Sequence, residues 1–530
     1  MSPLTLMTFL PVAGIVVLLF IPRERPNVIR WTSVFFTGLV LIIAVITWAR
    51  FDPAMTGIND ERSFQFVDHV SWIPTFNIEY FVGADGLSMP MIGLTALLSF
   101  LCIFASWGIT KAVKGYFCMF LLLETGMMGT FIALDFFLFY VFWEIMLLPM
   151  YFLIGVWGGP RREYAAIKFF LYTLFGSVLM LLVMLAFYLN TRDPVTGGHT
   201  FNMLHMMNQS LQGDWIKGET LRTLMFFALF VCFAIKIPMF PFHTWLPDAH
   251  VEAPTAISVI LAGILLKMGT YAILRINYPM LPDTTMQFAW FIAFMGMVNI
   301  IYGAFCAMAQ TDLKRLVAYS SISHMGFVML GMASFTPAGI NGAVFQMFNH
   351  GTITAMLFLL VGVIYDRAHH RYIVYPKDYP EVELRGKLGF GGLANQMPIY
   401  GGVFSLALFA AMGLPGLSGF ISEALCFVGA FPTWQAFTII SVLGIVITAG
   451  YILWAIQRIF LGTLPERWKT LPEINGRELF TLIPLAAIIV FLGVYPAPVL
   501  SMMDSTLNHL NAVVEAGARA AGVMSVWLPF

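Results

Sequence analysis

The chain has 530 residues, a formal net charge of zero, 59% hydrophobic residues and 11% charged residues. Soluble globular proteins carry about 25% charged residues, so this chain has too few charges to cover a water-exposed surface. The composition excludes a soluble enzyme, a disordered scaffold, a disulfide-rich secreted protein and, without a basic excess, a nucleic-acid-binding protein. It is typical of a polytopic helical membrane protein that has lipid among its neighbours.

Fourteen apolar runs are long enough to cross a membrane as helices, which takes about 20 residues each. They lie at 3–22, 30–50, 86–108, 114–133, 135–157, 164–190, 222–240, 254–276, 286–308, 315–334, 338–366, 397–428, 435–461 and 478–500. The first run lacks a basic segment before it and a cleavage site after it, so we expect a retained helix rather than a signal peptide. The sequence predicts an all-α polytopic membrane protein with about 14 transmembrane helices.

The distribution of lysine and arginine predicts the orientation in the membrane. If the N-terminus is outside, the inner loops, with Lys314 among their residues, hold 18 of these residues, and the outer side, with Arg275, holds 7. Lysine and arginine are enriched on the cytoplasmic side of membrane proteins. We therefore expect both termini on the outer side, which is the periplasmic side of a bacterial inner membrane.

The order of the runs suggests two inverted repeats of five helices. Residues 114–276 would form the first repeat and residues 277–461 the second, preceded by helices 1–3 in 1–113 and followed by helix 14 and a tail in 462–530. The fourth helix of each repeat is interrupted by proline or glycine, at 236–241 and 413–419. Interrupted helices at matching positions of two repeats are typical of a transport site. The tail, at 501–527, is expected to form a surface helix.

Several charged side chains fall inside the apolar runs, where each costs about 3 kcal/mol or more. They are Glu124, Glu144, Lys236, Lys267 and Glu423. One explanation is that they form ion pairs that hold helices together. Because two acids and two lysines are spread over four helices, two of them interrupted, we favour a path for protons or other ions.

Three histidines lie in or beside the same runs: His243, His324 and His350. Histidine titrates near neutral pH and can pass a proton through either ring nitrogen. A relay along these residues is the favoured interpretation. Haem ligation is the alternative, and it is disfavoured because no second histidine lies at a matching depth on either helix.

Motifs for other chemistry are absent or occur in the wrong context. Residues 389–394 match a nucleotide-binding G-x-G-x-x-A pattern, but neither a strand nor a βαβ unit is predicted around them. The sequence contains no Walker A, H-E-x-x-H or C-x-x-C motif, and Cys102, Cys118, Cys232, Cys306 and Cys426 have no metal-ligand spacing. We expect no metal, no cofactor and no redox centre in this chain.

Three stretches resemble one known family. They read KIPMFPFHTWLPDAHVEAPT at 236–255, ILLKMGTY at 264–271 and QTDLKRLVAYSSISHMG at 310–326. The sequence resembles the antiporter-like, proton-translocating subunits of respiratory complex I (NADH:quinone oxidoreductase), which are related to Mrp-type cation/proton antiporters. The likeness covers nearly the whole chain. Glu423 in the twelfth helix is similar to the M-type (NuoM-type) subunits, whose sister subunits carry lysine there.

The resemblance implies a role for each buried charge. Glu144 would be the acidic partner of Lys236, Lys267 the central proton-transfer lysine, and Glu423 the terminal proton site toward the outer side. The three histidines, His243, His324 and His350, would lie on the polar axis between them. Glu124 has no counterpart in the family motif.

The resemblance also implies the biological setting. The chain would move protons outward as a translocase subunit, driven by quinone reduction elsewhere in the complex and flanked by antiporter-like subunits on two sides. NADH, FMN, iron–sulfur clusters and quinone would bind to other subunits. The alternatives are a subunit of a free-standing Mrp-type Na+/H+ antiporter, a relative that accepts electrons from ferredoxin, and a haem- or quinone-binding redox protein.

Overall fold

The computed structural model describes residues 1–55, 57–212, 215–378 and 380–523. Its first half contains, in chain order, α1 (Pro3–Phe20), α2 (Pro26–Arg50), β1 (Gln65–Ile73), β2 (Ile78–Ala84), α3 (Ser88–Ala105), α4 (Val113–Ile132), α5 (Phe136–Ile145), α6 (Leu147–Trp157), α7 (Arg162–Asn190), α8 (Met203–Ser210), α9 (Glu219–Lys236), α10 (Trp245–Glu252) and α11 (Thr255–Met280).

The second half is mostly helical in its described residues, with a largely non-helical connection between 369 and 392. It contains α12 (Pro282–Gln287), α13 (Ala289–Met308), α14 (Leu313–Met332), α15 (Pro337–Ala368), α16 (Leu393–Gln396), α17 (Pro398–Ala411), α18 (Ser418–Ala430), α19 (Gln435–Phe460), α20 (Gly476–Val494) and α21 (Ala497–Ala520). Short 3-10 turns lie at Glu61–Ser63, Pro74–Phe76, Ser106–Gly108, Phe242–Thr244, Val382–Leu384 and Glu466–Trp468.

Within the described residues, 11 helices are long and apolar enough to cross a membrane. The remaining three predicted runs correspond to α9, to α14, and to α17 with α18, which are shorter or more polar. The predicted boundary at Asp135 is confirmed, because its carboxylate accepts a hydrogen bond from the N–H of Leu138 at 2.9 Å and caps α5. Both predicted interruptions are present, between α9 and α10 and between α17 and α18.

A β-hairpin is the element that the all-α prediction misses. Strands β1 and β2 pair antiparallel, with Asp68 opposite Val82 and Val70 opposite Tyr80, inside the predicted outer loop 51–85. The hairpin is fixed to the helices because the Phe81 carbonyl accepts a hydrogen bond from the N–H of Leu134 at 2.9 Å. We call the side of the molecule that carries the hairpin, α8, α12 and α21 the hairpin face.

The opposite side of the molecule, the cavity face, contains a cavity of about 560 Å³. Its lining is mixed, with apolar residues and with the polar residues Tyr116, Glu252, Asp312, Asp366 and Arg371. The cavity lies where α3, α10, α15 and α20 begin or end.

The core of the bundle is formed by α11 and α15, whose most apolar windows are completely buried. Helix α11 is not a regular α-helix, because Leu261–Leu265 and Ile273–Asn277 are π-helical. Such π segments are rare and are frequent at functional sites. The two most enclosed helices therefore carry Lys267 and His350, and one of them is irregular on both sides of its lysine.

Helices α13 and α14 pack closely through glycine. A Cβ atom at Gly303 would lie within 3.0 Å of the backbone of Ser323, and one at Gly326 would lie within 3.0 Å of the backbone of Gly296. Small residues allow this approach, which is common between membrane helices. The contact fixes α14 against α13 and so sets the direction in which the side chains of α14 point.

The predicted tail helix forms as α21, and residues 524–527 of that prediction lie outside the described residues. Its Thr506 hydroxyl accepts a hydrogen bond from the N–H of Gly86 at 3.0 Å, and Asp504 accepts one from Asn341 at 2.9 Å. Helix α21 therefore covers the start of α3 and of α15 on the hairpin face.

Candidate functional site

Lys267 lies completely buried in α11, between its two π-helical segments. Its Nζ atom donates hydrogen bonds to the Ala262 carbonyl at 2.5 Å and to Nδ1 of His350 at 2.6 Å. The predicted central lysine is thus held by a carbonyl and an imidazole. Neither of these two partners is an acid.

From His350 the polar groups continue toward α14 and α18. The ring centroids of His350 and His324 are 5.7 Å apart, and Nδ1 of His324 lies 3.0 Å from Oε1 of Glu423. In each histidine the Nε2 atom is buried and has no hydrogen-bond partner among the described residues. Lys267, His350, His324 and Glu423 form a continuous series, which we call the polar row.

Glu423 is positioned by the interruption before α18. A Cβ atom at Gly413, where φ is +78°, would lie 2.9 Å from the Glu423 carboxylate, so glycine suits both the backbone and the space. The residue before Glu423, Ser422, donates to Gln346 at 2.5 Å and accepts from Asn349 at 3.2 Å. These hydrogen bonds hold α18 against α15 and keep Glu423 beside His324.

Glu144 and Lys236 do not form the expected ion pair in this conformation. Oε1 of Glu144 and Nζ of Lys236 each lack a hydrogen-bond partner among the described residues. Lys236 Nζ instead lies over the rings of Trp143 and Phe169, 5.1 and 5.8 Å from their centroids. The two charges still interact electrostatically, and Glu144 faces Ser177.

His243 is not part of the polar row. Its Nε2 atom lies 3.1 Å from the Tyr302 hydroxyl, and its ring packs against Phe240 and Tyr319. The interruption after α9 turns this residue toward α13 and away from α11. Its expected role as a relay stays a prediction that this geometry does not support.

His250 is a buried histidine that the sequence pattern does not single out, although it lies in the family-like stretch 236–255. Both of its ring nitrogens lack a partner among the described residues, and its ring stacks on Phe358 at 4.5 Å. Its electrostatic neighbours include Lys267 and Lys314. Its position seven residues after His243 in an interrupted helix is the signal that could have identified it.

Lys314 and Arg275 also occupy positions that the sequence analysis does not foresee. The prediction places Lys314 in an inner loop and Arg275 at the outer end of the run 254–276, but both are buried within helices. Lys314 Nζ donates to the Ala253 carbonyl at 2.6 Å, beside the cavity. Arg275 Nη2 donates to Asp85 Oδ1 at 2.6 Å on the side of the hairpin face. At the end of an apolar run, the sequence alone does not distinguish an exposed charged side chain from a buried, paired one.

Glu124 is completely buried in α4, and both of its carboxylate oxygens lack a hydrogen-bond partner among the described residues. No hydrogen bond or ion pair described for Lys267, His350, His324 or Glu423 involves it. Glu124 therefore lies apart from the polar row.

The polar row has the composition of a proton path. It contains an amine, two imidazoles and a carboxylate, each of which can gain or lose a proton. Among the described residues, no three or more histidine, cysteine, aspartate or glutamate side chains are grouped so that they could hold a metal ion.

Two family models match the sequence. The model described as NADH:quinone oxidoreductase/Mrp antiporter, TM, matches residues 133–448, which is more than half of the chain. The model described as NADH-ubiquinone oxidoreductase chain 4, amino terminus, matches residues 62–134.

Full-length relatives agree with these matches. NADH-quinone oxidoreductase subunit M of Rhodobacter capsulatus is 42% identical over 516 residues, which cover 96% of each chain. A chain of respiratory complex I from Thermus thermophilus with bound NADH has a TM-score of 0.81 at 28% identity, covering 98% of this chain and 100% of that one. A chain of the Mrp complex from Dietzia shares the fold, with a TM-score of 0.78 at 21% identity over 98% of this chain and 100% of that one. The chain therefore belongs to the NADH:quinone oxidoreductase/Mrp antiporter family of membrane subunits, in its M-type branch.

Proposed function

We propose that the chain translocates protons through the polar row, as the M-type subunit of an NADH:quinone oxidoreductase whose other subunits reduce quinone. The observation that carries this proposal is the direct contact of Lys267 with His350, together with the hydrogen bond of His324 to Glu423. Four side chains from α11, α14, α15 and α18 meet in the interior of the bundle. An ion-pair network that only stabilised helices would need a carboxylate beside Lys267.

In this proposal the proton moves by short transfers. Lys267 donates to Nδ1 of His350, which passes a proton to His324 from its other ring nitrogen, and His324 passes one to Glu423. A rotation of either ring or one bridging water spans a centroid separation of 5.7 Å. Histidine can accept a proton on one nitrogen and donate one from the other, which leaves the ring in its other tautomer. Rotation of the two rings and arrival of a new proton at Lys267 then restore the row.

Glu144 and Lys236 act as an electrostatic switch. In the separated arrangement, Lys236 interacts with aromatic faces rather than with the carboxylate. When the two side chains meet, the attraction between opposite charges a few ångströms apart is large in a low-dielectric interior. When the pair forms, the carboxylate of Glu144 cancels the positive electric field of Lys236 at the polar row. When the pair separates, that field acts on the row again. The position of Lys236 over the rings of Trp143 and Phe169 supports this proposal, because it leaves the lysine free to move to Glu144.

The proposed membrane topology has fourteen crossings, with inverted repeats at 114–276 and 277–461 between segments 1–113 and 462–530. The alternation of helix ends between the two faces supports the crossings, and the interruptions after α9 and α17 support the repeats. The lysine and arginine distribution supports both termini on the periplasmic side of a bacterial inner membrane.

The proposed partners are the other membrane subunits of the complex, with antiporter-like subunits on two opposite sides. The proposal assigns NADH, FMN, iron–sulfur clusters and quinone to other subunits, and no redox site to this one. The name of the Rhodobacter capsulatus relative and the solved complex from Thermus thermophilus support membership of a large complex.

The test is proton pumping in assembled complexes that carry Lys267→Ala. NADH oxidation should continue in membrane vesicles, while the pH gradient formed per NADH should fall strongly. Lys111→Ala is the control, because that lysine is on the surface and donates only to the Val156 carbonyl. Normal pumping by an assembled Lys267→Ala complex would exclude the proposed path. Purification as a small complex that exchanges Na+ for H+ without NADH oxidation would favour the antiporter alternative.

A further inference from the structure

A second cluster of buried polar groups lies beyond Lys267 on the same helix. Arg275 and Asp85 are almost completely buried, with 0% and 1% of their surfaces exposed. Arg275 Nη2 donates to Asp85 Oδ1 at 2.6 Å and to the Ser88 hydroxyl at 3.1 Å, and its Nε donates to the Tyr271 hydroxyl at 3.1 Å. The polar row uses none of these residues.

The cluster lies between Lys267 and the hairpin face. Tyr271 follows Lys267 by one helical turn and Arg275 by two, a distance of about 12 Å along a helix. The Tyr271 hydroxyl donates to the Phe131 carbonyl at 2.9 Å, which joins α11 to the end of α4. Helix α21 covers the other side, because Gly86 donates to Thr506 beside the aspartate.

The chemistry of the cluster is that of a barrier. Arginine keeps its proton at any accessible pH, so it cannot relay one. The fixed guanidinium repels a proton or metal cation that approaches it on the side away from the Asp85 carboxylate. A buried ion pair is weak support for stability, because desolvation offsets much of the attraction between its charges. A role beyond holding the helices together is therefore the better explanation for its retention in the core.

We propose that the Arg275–Asp85 pair is an electrostatic seal between Lys267 and the hairpin face. Because the seal blocks the route along α11 to the hairpin face, a proton on Lys267 leaves only toward His350 and Glu423. Asp85 holds the guanidinium in place, and Tyr271 and Ser88 fix its orientation. The inference rests on the proposed function, since a seal matters only if Lys267 carries protons.

The test measures passive proton movement through assembled complexes in sealed vesicles without NADH. A pH gradient is imposed across the vesicle membrane, and the membrane potential is clamped with potassium and valinomycin. The decay of the pH gradient is followed with an entrapped pH dye. The variant Asp85→Asn with Arg275→Gln removes both charges and keeps polar side chains of similar size. The decay should quicken by about tenfold, which corresponds to a barrier lower by about 1.4 kcal/mol.

Matched variants separate the seal from a general loss of packing. Arg222→Gln with Asp283→Asn removes another ion pair of the hairpin face, with an Nε–Oδ2 distance of 2.7 Å, and should not change the decay. Arg275→Lys keeps a cation at this position, so the pH gradient should decay as slowly as in the parent complex. An unchanged decay in the double variant at Asp85 and Arg275, or an equal leak in the control, would overturn the proposal.

The single variants decide the question if the double variant does not assemble. Asp85→Asn keeps the cation, so the pH gradient should decay as slowly as in the parent complex. Arg275→Gln removes the cation, so the gradient should decay faster. Equal decay rates in the two variants, or the reverse order, would overturn the seal. Lys267→Ala in the same passive assay should not leak, although it should stop pumping. Normal pumping in Lys267→Ala therefore refutes the proposed function, and a tight Arg275→Gln complex refutes the seal alone.

Discussion

Lys267 and His350 are 83 positions apart in the sequence, and their side-chain nitrogens are 2.6 Å apart in the fold. The contact joins the two most enclosed helices of the bundle. It also joins the first predicted repeat to the second. The central lysine therefore donates a hydrogen bond to an imidazole from the other half of the chain.

The first prediction compares two histidines that the sequence alone does not distinguish. His350→Gln should abolish most proton pumping, because glutamine cannot carry a proton from Lys267 to His324. His243→Gln should retain most of it, because His243 contacts Tyr302 and not the polar row. The measurement is the pH gradient per NADH in vesicles with equal amounts of assembled complex. Equal losses in the two variants would place His243 on the path.

The second prediction concerns Glu144 and Lys236. Glu144→Asp should keep part of the pumping activity and Glu144→Gln should lose most of it, because the switch needs a negative charge. Lys236→Arg should also fail, because arginine does not release its proton at accessible pH. Pumping is compared in assembled complexes, with NADH oxidation as the control for folding. If Glu144→Gln pumps as well as Glu144→Asp, the two residues have only a structural role.

The third prediction concerns the end of the row. Glu423→Gln should keep the contact with His324, because an amide oxygen can accept the same hydrogen bond, and it should still stop proton release. Glu124→Gln is the matched control, since Glu124 is also buried but lies apart from the row. Its pumping should remain close to that of the parent. Pumping that survives Glu423→Gln would mean that another group releases the proton.

The fourth prediction is a pH dependence of the hairpin. His69 lies 3.0 Å from Glu79 and 3.3 Å from Glu61. The hydrogen bond with Glu79 raises the pKa of His69 above its ordinary value of 6.5. Burial alone would raise the pKa of Glu79, but hydrogen bonds from His69 and Asn202 hold it below its ordinary value of 4.5.

The signs of these shifts give a pH window for the stability of the hairpin. The contribution of His69 is complete below pH 6.5 and is lost as the pH rises through its raised pKa. The contribution of Glu79 is complete above pH 4.5 and is lost as the pH falls through its lowered pKa. Amide hydrogen exchange in 65–84, corrected for its intrinsic pH dependence, should be slowest between these limits. His69→Gln should remove the loss at high pH, and Glu61→Gln, at a half-exposed site, should change little.

The sequence predicts the buried charges and the interrupted helices well, because both depend on local patterns. A charge in a long apolar run is unusual wherever it occurs, and proline or glycine stops a helix without help from other residues. Glu144, Lys236, Lys267 and Glu423 are all found within the bundle for this reason.

The connections between these groups depend on distant residues and could not be predicted in the same way. Arg275 is buried because Asp85, 190 positions earlier, lies against it. His243 and His324 look alike in sequence, and only the direction of the chain after α9 separates them. The hairpin was missed because its alternation is short and its support comes from α4 and α5.

The close contact of α13 with α14 makes the position of His324 depend on residues that carry no charge. An added methyl group at Gly303 would press on the backbone of Ser323, the residue next to His324. A shift of a few tenths of an ångström there would lengthen the hydrogen bond to Glu423. A substitution that impairs proton transfer can therefore arise at a glycine, which has no ionisable side chain of its own.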